Sequence, residues 1–386
     1  MMYIRKIADI IGKSKKSLLL LGPRQTGKST LFKSMQPDLQ INLAREATFL
    51  DFASDPLALE QQIKQQKPKT IFIDEVQRLP SILNTVQPLI DDSNGKLRFF
   101  LTGSSARKLR RGKANLLPGR VLTLELGPLL ECELDDEFDL NCALSIGTLP
   151  GIYSEENAKE RERVLFSYAG TYLKEEIQAE ALTRDLEGFA RFLKFSAANA
   201  GQYLDMSRLA SDAQVKRASA IRFFEILEDT LIAVRCDAFA KSERRRLIQH
   251  PRYFFFDNGV LNGVLGNFKV SEDRRGNLFE HLAFTQIYHT ARSQILQLRI
   301  SNYRTEHDAE LDLILEFPDG EVIAVECKAG RNVGRNDLSG FKSFASFYGK
   351  PHRKIVLYAG SSAKRIDDVM ILPFQEGIRE IFSGTT

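Results

Sequence analysis

The stretch Leu18-Leu19-Leu20-Leu21-Gly22-Pro23-Arg24-Gln25-Thr26-Gly27-Lys28-Ser29-Thr30 leaves little freedom in how the first part of this chain folds. It satisfies G-x-x-x-x-G-K-[ST] at every position, through Gly22, Gly27, Lys28 and Ser29. An apolar run leads into it, and Leu31-Phe32-Lys33-Ser34-Met35 can continue a helix that begins near Gly27. A chance glycine-rich turn would not need that strand before it and that helix after it. The two glycines let main-chain N–H groups converge on a polyphosphate, and the start of the helix adds partial positive charge. Lys28 is expected to reach the β- and γ-phosphates of ATP and the Ser29 hydroxyl to ligate Mg2+, with Pro23, Arg24, Gln25, Thr26 and Thr30 completing the cradle.

A partner for this loop follows in Thr70-Ile71-Phe72-Ile73-Asp74-Glu75, a buried-type strand that closes on two carboxylates. Such a strand end suits the ligand crevice of an open α/β sheet. Asp74 is expected to hold Mg2+, directly or through water, and Glu75 to orient and polarise the attacking water. A further strand, Arg98-Phe99-Phe100-Leu101, runs into Thr102-Gly103-Ser104-Ser105, where Thr102 or Ser104 can sense the γ-phosphate; a plain Ser/Gly turn is the alternative. Basic residues Arg107, Lys108, Arg110, Arg111 and Lys113 precede Leu117-Pro118-Gly119-Arg120 and a strand at 121–126. Arg120 is the first choice for an arginine that reaches a neighbouring subunit's nucleotide, against the alternative of a solvated basic loop.

The segments GPRQTGKST, TIFIDEVQRLP, FFLTGSS and LPGRVLTLELGPLLECEL resemble the AAA-type ATPase half of a prokaryotic family, AAA_14/DUF4143, whose second half is a domain of unknown function. The resemblance implies an α/β P-loop NTPase core of the AAA+/ASCE (additional-strand) type, with nucleotide often bound between subunits. It gives Lys28 and Ser29 the phosphate-loop roles, Asp74 and Glu75 the magnesium and water roles, and Thr102 or Ser104 the sensor role.

Composition adds bounds rather than direction. A chain of 386 residues has room for several cores, and 43% hydrophobic with 27% charged residues is ordinary for a globular protein. A net charge of +4 neither demands nor excludes nucleic acid, so any basic surface has to be local. Cys132, Cys142, Cys236 and Cys327 lie far apart without C-x-x-C spacing, which argues against a zinc or disulfide framework and fits a reducing cytoplasm. No apolar run approaches membrane-spanning length, and no leader is expected. His250, His281, His289, His307 and His352 show no metal-ligand spacing and read as structural.

The ATPase core is assigned to residues 1–130, where residues 1–16 read as a short basic helix with Ile4, Ile7, Ile10 and Ile11 packing inward. Residues 131–187 read as a helical lid or linker, acidic and surface-exposed at first, then helical from Ala158 to Ala181. A winged helix-turn-helix is expected at 188–252, with a helix capped by Asp205, a second carrying Lys216, Arg217 and Arg222 near its start, and a wing tip of Lys241, Arg244, Arg245 and Arg246. A helical connector with an ordinary charged loop is the alternative.

Residues 253–386 hold a second constellation. Ala309 to Phe317 alternates, turns at Pro318-Asp319-Gly320 and returns as Glu321 to Lys328. If Glu316 pairs with Val322, then Asp312 falls opposite Glu326 and Glu310 opposite Lys328. Asp312 and Glu326 could then hold a divalent ion for phosphodiester hydrolysis while Lys328 stabilises charge, with Glu280 as an added ligand from the preceding helix. An amphipathic hairpin with a charged outer face is the bland alternative. The segments YFFFDNGV, GNLFEHLAF, YRTEHDAELDLIL and VECKAG resemble the carboxyl-terminal half of the same family, which looks like a restriction-endonuclease-like α/β fold of the PD-(D/E)xK type; Asp312, Glu326 and Lys328 match its signature. That fold also serves as a binding platform, so the match does not establish cleavage.

Together these features point to an ATPase that acts on DNA, duplex or branched, as a homo-oligomeric motor or remodeller, with a Mg2+-dependent nuclease-like or DNA-gripping domain attached. The alternative is a nucleotide-dependent switch whose second half binds a protein partner.

Overall fold

The computed structural model describes residues 3–104, 117–172, 185–239, 250–307 and 309–384. The chain divides into two compact units, one of Met1–Gly127 with Asp229–Ile232 and Arg292–Ile295, the other of Pro128–Glu228, Ala233–Ala291 and Leu296–Thr386.

In the first unit the strands β1 (Ser17–Leu21), β2 (Leu39–Asn42), β3 (Thr70–Asp74), β4 (Arg98–Gly103) and β5 (Val121–Glu125) form an all-parallel sheet in the order β2-β3-β4-β1-β5. The unbroken leucine run of β1 is explained by burial on both faces. Leu19 and Leu21 join Ile71, Ile73, Phe99 and Leu101 in one apolar cluster, while Leu18 and Leu20 join Phe72, Phe100 and Phe32 in another. Alternate residues of each strand thus feed opposite cores, which helices cover. The additional strand β4 lies between the strand that precedes the phosphate loop and the strand that ends in Asp74, as the sequence resemblance implied. This order gathers Gly22, Asp74 and Thr102 at one end of the sheet.

The amino-terminal helix spans only Ile7–Lys13 and buries Ile7 and Ile11. Ile4, expected to pack with them, lies ahead of the helix and is 86% exposed.

The second unit is built on a mixed sheet in which β6 (Ala233–Ala238), β7 (Arg252–Phe255), β8 (Arg299–Arg304), β9 (Glu310–Glu316), β10 (Val322–Lys328), β11 (Arg353–Tyr358), β12 (Lys364–Ile366) and β13 (Val369–Pro373) run in the order β12-β13-β11-β10-β9-β8-β6-β7. The hairpin of β9 and β10 closes with Val322 opposite Glu316, the register read from the alternation. A different outcome meets the expected wing. β6 pairs parallel to β8 through Asp237 and Ala238, so the hairpin of β6 and β7 ends the large sheet. Every residue of β7 is buried, so this strand is part of the sheet's interior. Lys241, Arg244, Arg245 and Arg246 lie outside the described residues, as do Ser105, Arg107, Lys108, Arg110, Arg111 and Lys113.

Three helices, Leu186–Ala198, Met206–Asp212 and Arg217–Asp229, precede β6. Asp205 caps the second by accepting hydrogen bonds from the Ser207 and Arg208 amides at 2.8 and 3.1 Å. Phe189, Phe192, Phe223 and Phe224 lock the first helix to the third, leaving Lys216, Arg217, Ile221 and Arg222 exposed. The helix expected from Ala158 runs Ala158–Ser167 and passes into a π-turn at Tyr168–Tyr172; residues 173–184 are not among those described. Glu131, expected on an acidic surface, is 1% exposed and 3.7 Å from the Arg379 guanidinium, because its amide donates to buried Gln286 Oε1 and holds it inside.

Candidate functional site

The phosphate loop is held open by its glycines. Gly27 caps the helix Lys28–Ser34 with φ +93°, a left-handed conformation that favours glycine. At Gly22 a Cβ would stand 2.2 Å from the Leu126 carbonyl oxygen, so no larger residue fits against that strand end. Arg5 braces the loop from outside by donating to the carbonyls of Thr26 and Gly127 at 2.7 and 2.8 Å. Lys28 is buried, with Nζ donating to the Gly22 and Pro23 carbonyl oxygens at 2.8 and 2.7 Å. These are neutral acceptors, which a phosphate oxygen can replace with a gain in charge complementarity.

Around Asp74 the strand ends assemble a hydroxyl network. The Ser29 hydroxyl donates to Asp74 Oδ1 at 2.7 Å, and the Thr102 hydroxyl, fully buried, donates to the same oxygen. Thr102 Oγ1 in turn accepts from the Glu75 amide at 3.1 Å. Glu75 itself sits in the left-handed region at φ +60°, which turns its side chain out of the strand direction. Gln77 holds that side chain, its amide nitrogen donating to Glu75 Oε2 and to Ser104 Oγ, the latter at 3.1 Å. A serine hydroxyl and a carboxylate side by side are hard oxygen donors of the kind Mg2+ takes with several retained waters. The structure therefore brings Gly22, Gly27, Lys28, Ser29, Asp74, Glu75, Thr102 and Ser104 together. Arg120 is committed elsewhere, its guanidinium gripping both oxygens of Asp91 at 2.7 and 2.9 Å.

In the second unit Glu280, Asp312, Glu326 and Lys328 also converge, in a different environment. Lys328 Nζ donates to Glu326 Oε1 at 2.7 Å, and Asp312 Oδ2 accepts from the Cys327 amide at 2.7 Å. Glu280 is paired with Arg252, which arrives from β7. The same guanidinium donates to the Gly201 carbonyl at 2.5 Å and the Asp312 carbonyl at 3.3 Å, and lies against the rings of Tyr203 and Phe254 at 5.3 and 5.1 Å. Burial, and then each other's neighbouring charges, push both acids up to about 8: Glu280 acts on Asp312, and Asp312 on Glu326. Glu326 Oε2 is buried and finds no hydrogen-bond partner among the described residues. Burial alone would lower the Arg252 guanidinium, but Glu280 and Asp312 hold it above its ordinary value. Among the described residues no group of three or more His, Cys, Asp or Glu is placed to hold a metal ion.

Two residues of these sites escape sequence reasoning. Gln77 follows the Asp-Glu pair closely but belongs to no spacing rule. Arg252 left one signal, a lone charge at the head of the run Arg252-Tyr253-Phe254-Phe255-Phe256, where burial would demand a partner.

Residues 14–134 match the model of an AAA domain family, AAA_14, residues 137–271 that of a domain of unknown function, DUF8612, and residues 275–376 that of another, DUF4143. The chain is 25% identical over 312 residues to the uncharacterized proteins Rv2008c of Mycobacterium tuberculosis and Mb2031c of Mycobacterium bovis, covering 78% of this chain and 67% of each relative. Among solved structures it is similar to a replication initiator DnaA bound to AMPPCP and single-stranded DNA, at 12% identity and TM-score 0.27 over 58% of this chain and 86% of that one. It is also similar to the Pif1 helicase from Candida albicans, at 15% identity and TM-score 0.26 over 44% of this chain and 48% of that one. The chain thus carries an AAA-type P-loop domain at its amino-terminal end, followed by two domains of unknown function.

Proposed function

We propose that the first unit hydrolyses ATP and that turnover is coupled to DNA. The observation that carries this reading is the network in which Ser29 and Thr102 both donate to Asp74 while Gln77 holds Glu75 beside Ser104. Lys28 and the loop amides would bind the β- and γ-phosphates, with Lys28 exchanging two carbonyl oxygens for phosphate oxygens. Ser29 and Asp74 would hold Mg2+, which when bound neutralises charge on the transferring phosphoryl group. Glu75 would align water in line with the γ-phosphate and accept its proton, its position set by Gln77 and by its own backbone turn. Thr102 and Ser104 link that water-aligning pair to the adjacent strand, so loss of the γ-phosphate can be felt along β4.

DNA as the partner is supported by the pair of helices Met206–Asp212 and Arg217–Asp229, joined by a short turn, which leave Lys216, Arg217 and Arg222 exposed near the start of the second. That is the placement from which a helix-turn-helix meets phosphates and base edges. In this reading the second unit is the DNA-gripping module, and the protein works as a homo-oligomer in which Arg120 of one copy exchanges Asp91 for the nucleotide of the next.

The test is the ATPase rate of the full chain with Mg2+, alone and with single-stranded, duplex and branched DNA, using Lys28→Ala as control. Turnover that DNA stimulates and Lys28→Ala abolishes is expected. Turnover indifferent to every DNA, with no salt-sensitive DNA binding, would point to a nucleotide switch directed at a protein.

A further inference from the structure

Glu280, Asp312 and Glu326 form a largely buried acid cluster that ATP hydrolysis does not use, and Arg252 is the side chain that decides its chemistry. We propose that Arg252 is the resident cation of this cluster and that its guanidinium keeps divalent metal ions out, so that the intact protein cuts no phosphodiester there. This inference stands independently of the ATPase reading.

The argument rests on where each oxygen is already spent. Glu280 Oε1 faces the Arg252 guanidinium, Asp312 Oδ2 the Cys327 amide, and Glu326 Oε1 the Lys328 ammonium. A small hard cation needs several oxygens in a near-octahedral shell, with room for the waters it keeps. Helix Glu272–Ser293 offers its acid to a cation the chain itself supplies, leaving Asp312 and Glu326 without the third carboxylate expected from sequence. Two fixed cations, Arg252 and Lys328, already sit against Glu280 and Glu326 before any ion arrives.

Arg252 is not poised to swing away. It is 4% exposed, and its Nε and Nη groups are divided among the Gly201 carbonyl, the Asp312 carbonyl and Glu280. Tyr203 lies against it, and Arg304 lies 5.0 Å from the same ring. The segment around Tyr203 is tied to the strand that bears Arg252, with the Gly201 amide donating to the Tyr253 carbonyl at 2.9 Å and the Leu204 amide to the Pro251 carbonyl at 3.1 Å. A guanidinium so placed does for these acids what a metal does in a cutting site: it supplies positive charge and fixes their geometry. It cannot supply the activated water that hydrolysis needs, because a guanidinium stays protonated and coordinates nothing.

The experiment counts Mn2+ bound to the nucleotide-free full chain by electron paramagnetic resonance, records melting temperature with and without Mn2+, and incubates single-stranded and duplex DNA with each protein for a denaturing gel. Wild type and Asp312→Asn should take up Mn2+ equally and leave DNA intact. Arg252→Gln should gain one bound ion per chain that Arg252→Gln/Asp312→Asn loses, and Mn2+ should raise its melting temperature by more than it raises that of wild type. An ion in wild type that Asp312→Asn removes, or wild-type cutting that Asp312→Asn abolishes, overturns the proposal. So does a folded Arg252→Gln that gains no ion. Should Arg252→Gln fail to fold, the comparison of wild type with Asp312→Asn decides alone.

Discussion

Both units carry a carboxylate near the end of a buried strand, Asp74 at the end of β3 in one and Glu326 close to the end of β10 in the other, yet they satisfy them by opposite means. Asp74 is met by two neutral hydroxyls, whereas the acids of the second unit are met by a guanidinium and an ammonium. Hydroxyls leave the negative charge unneutralised, so a diffusible cation has something to bind. Resident cations remove that incentive and convert the same residue type into internal structure. Two acidic strand ends that look alike in sequence are therefore not equivalent in chemistry, and what separates them is the side chain that arrives from elsewhere in the fold.

The largest effect that sharpens this contrast is expected from Glu75→Gln. Removing the water-aligning base should lower the turnover number by roughly 10²–10⁴-fold. Nucleotide binding should persist, because Lys28, Ser29 and the loop amides are untouched. Steady-state kinetics with a fluorescent nucleotide would measure both quantities. Unchanged turnover would take Glu75 out of the chemistry and leave the Gln77 contact as a structural detail.

Stability should split the two clusters next. Glu280→Leu leaves the Arg252 guanidinium buried without its counterion and should cost about 3–5 kcal/mol. Asp74→Asn keeps an acceptor for the Ser29 and Thr102 hydroxyls, so its cost should stay near 1 kcal/mol. Chemical denaturation of the full chain, followed by hydrogen exchange to tell one unit from the other, measures both. Equal costs would mean that Arg252 is not the organising charge of its cluster.

Much of this was legible in the chain before any coordinates. The phosphate loop, the strands at Thr70 and Arg98 and the Asp205 cap are local patterns, set by spacing within a few residues and by the rule that a run buried on both faces is continuously apolar. The register of β9 and β10 was legible too, since a short turn ties its two strands together. Long-range pairing was not. Nothing around Ala233 announces that β6 will lie beside β8, more than sixty residues on, so its hairpin resembled a free wing. Arg252 was hidden for the same reason: the residues it neutralises lie on a helix and a strand that reach it only through the sheet. Sequence named the acids of both clusters, but a site's chemistry depends on its neighbours, and those are set by topology.

Acid should reveal the interior of the second unit through a smaller effect. His281 is buried, with Nδ1 2.8 Å from Asn258 Oδ1, and burial pushes its pKa down from 6.5 to about 3. The unfolded chain therefore takes up this proton near pH 6.5 while the folded chain refuses it until about pH 3, so stability falls by about 1.4 kcal/mol per pH unit as pH drops through that window. Burial moves Asp257, Asp312 and Glu326 the other way, to about 6, 8 and 8, so they favour the folded state as pH falls from those values toward the ordinary carboxylate range. In the wild-type profile these acids outnumber the histidine and mask its slope below pH 6.5, whereas above it the Asp312 and Glu326 contributions remain and stability should fall as pH rises toward 8. Subtraction isolates the histidine: the stability of His281→Gln minus that of wild type should be constant above pH 6.5 and climb steadily below it, measured by calorimetry from pH 8 to pH 4. A difference that is constant across the whole range would mean that His281 accepts its proton inside the fold, and that water reaches a position the packing around Asn258 and Phe254 is meant to keep dry.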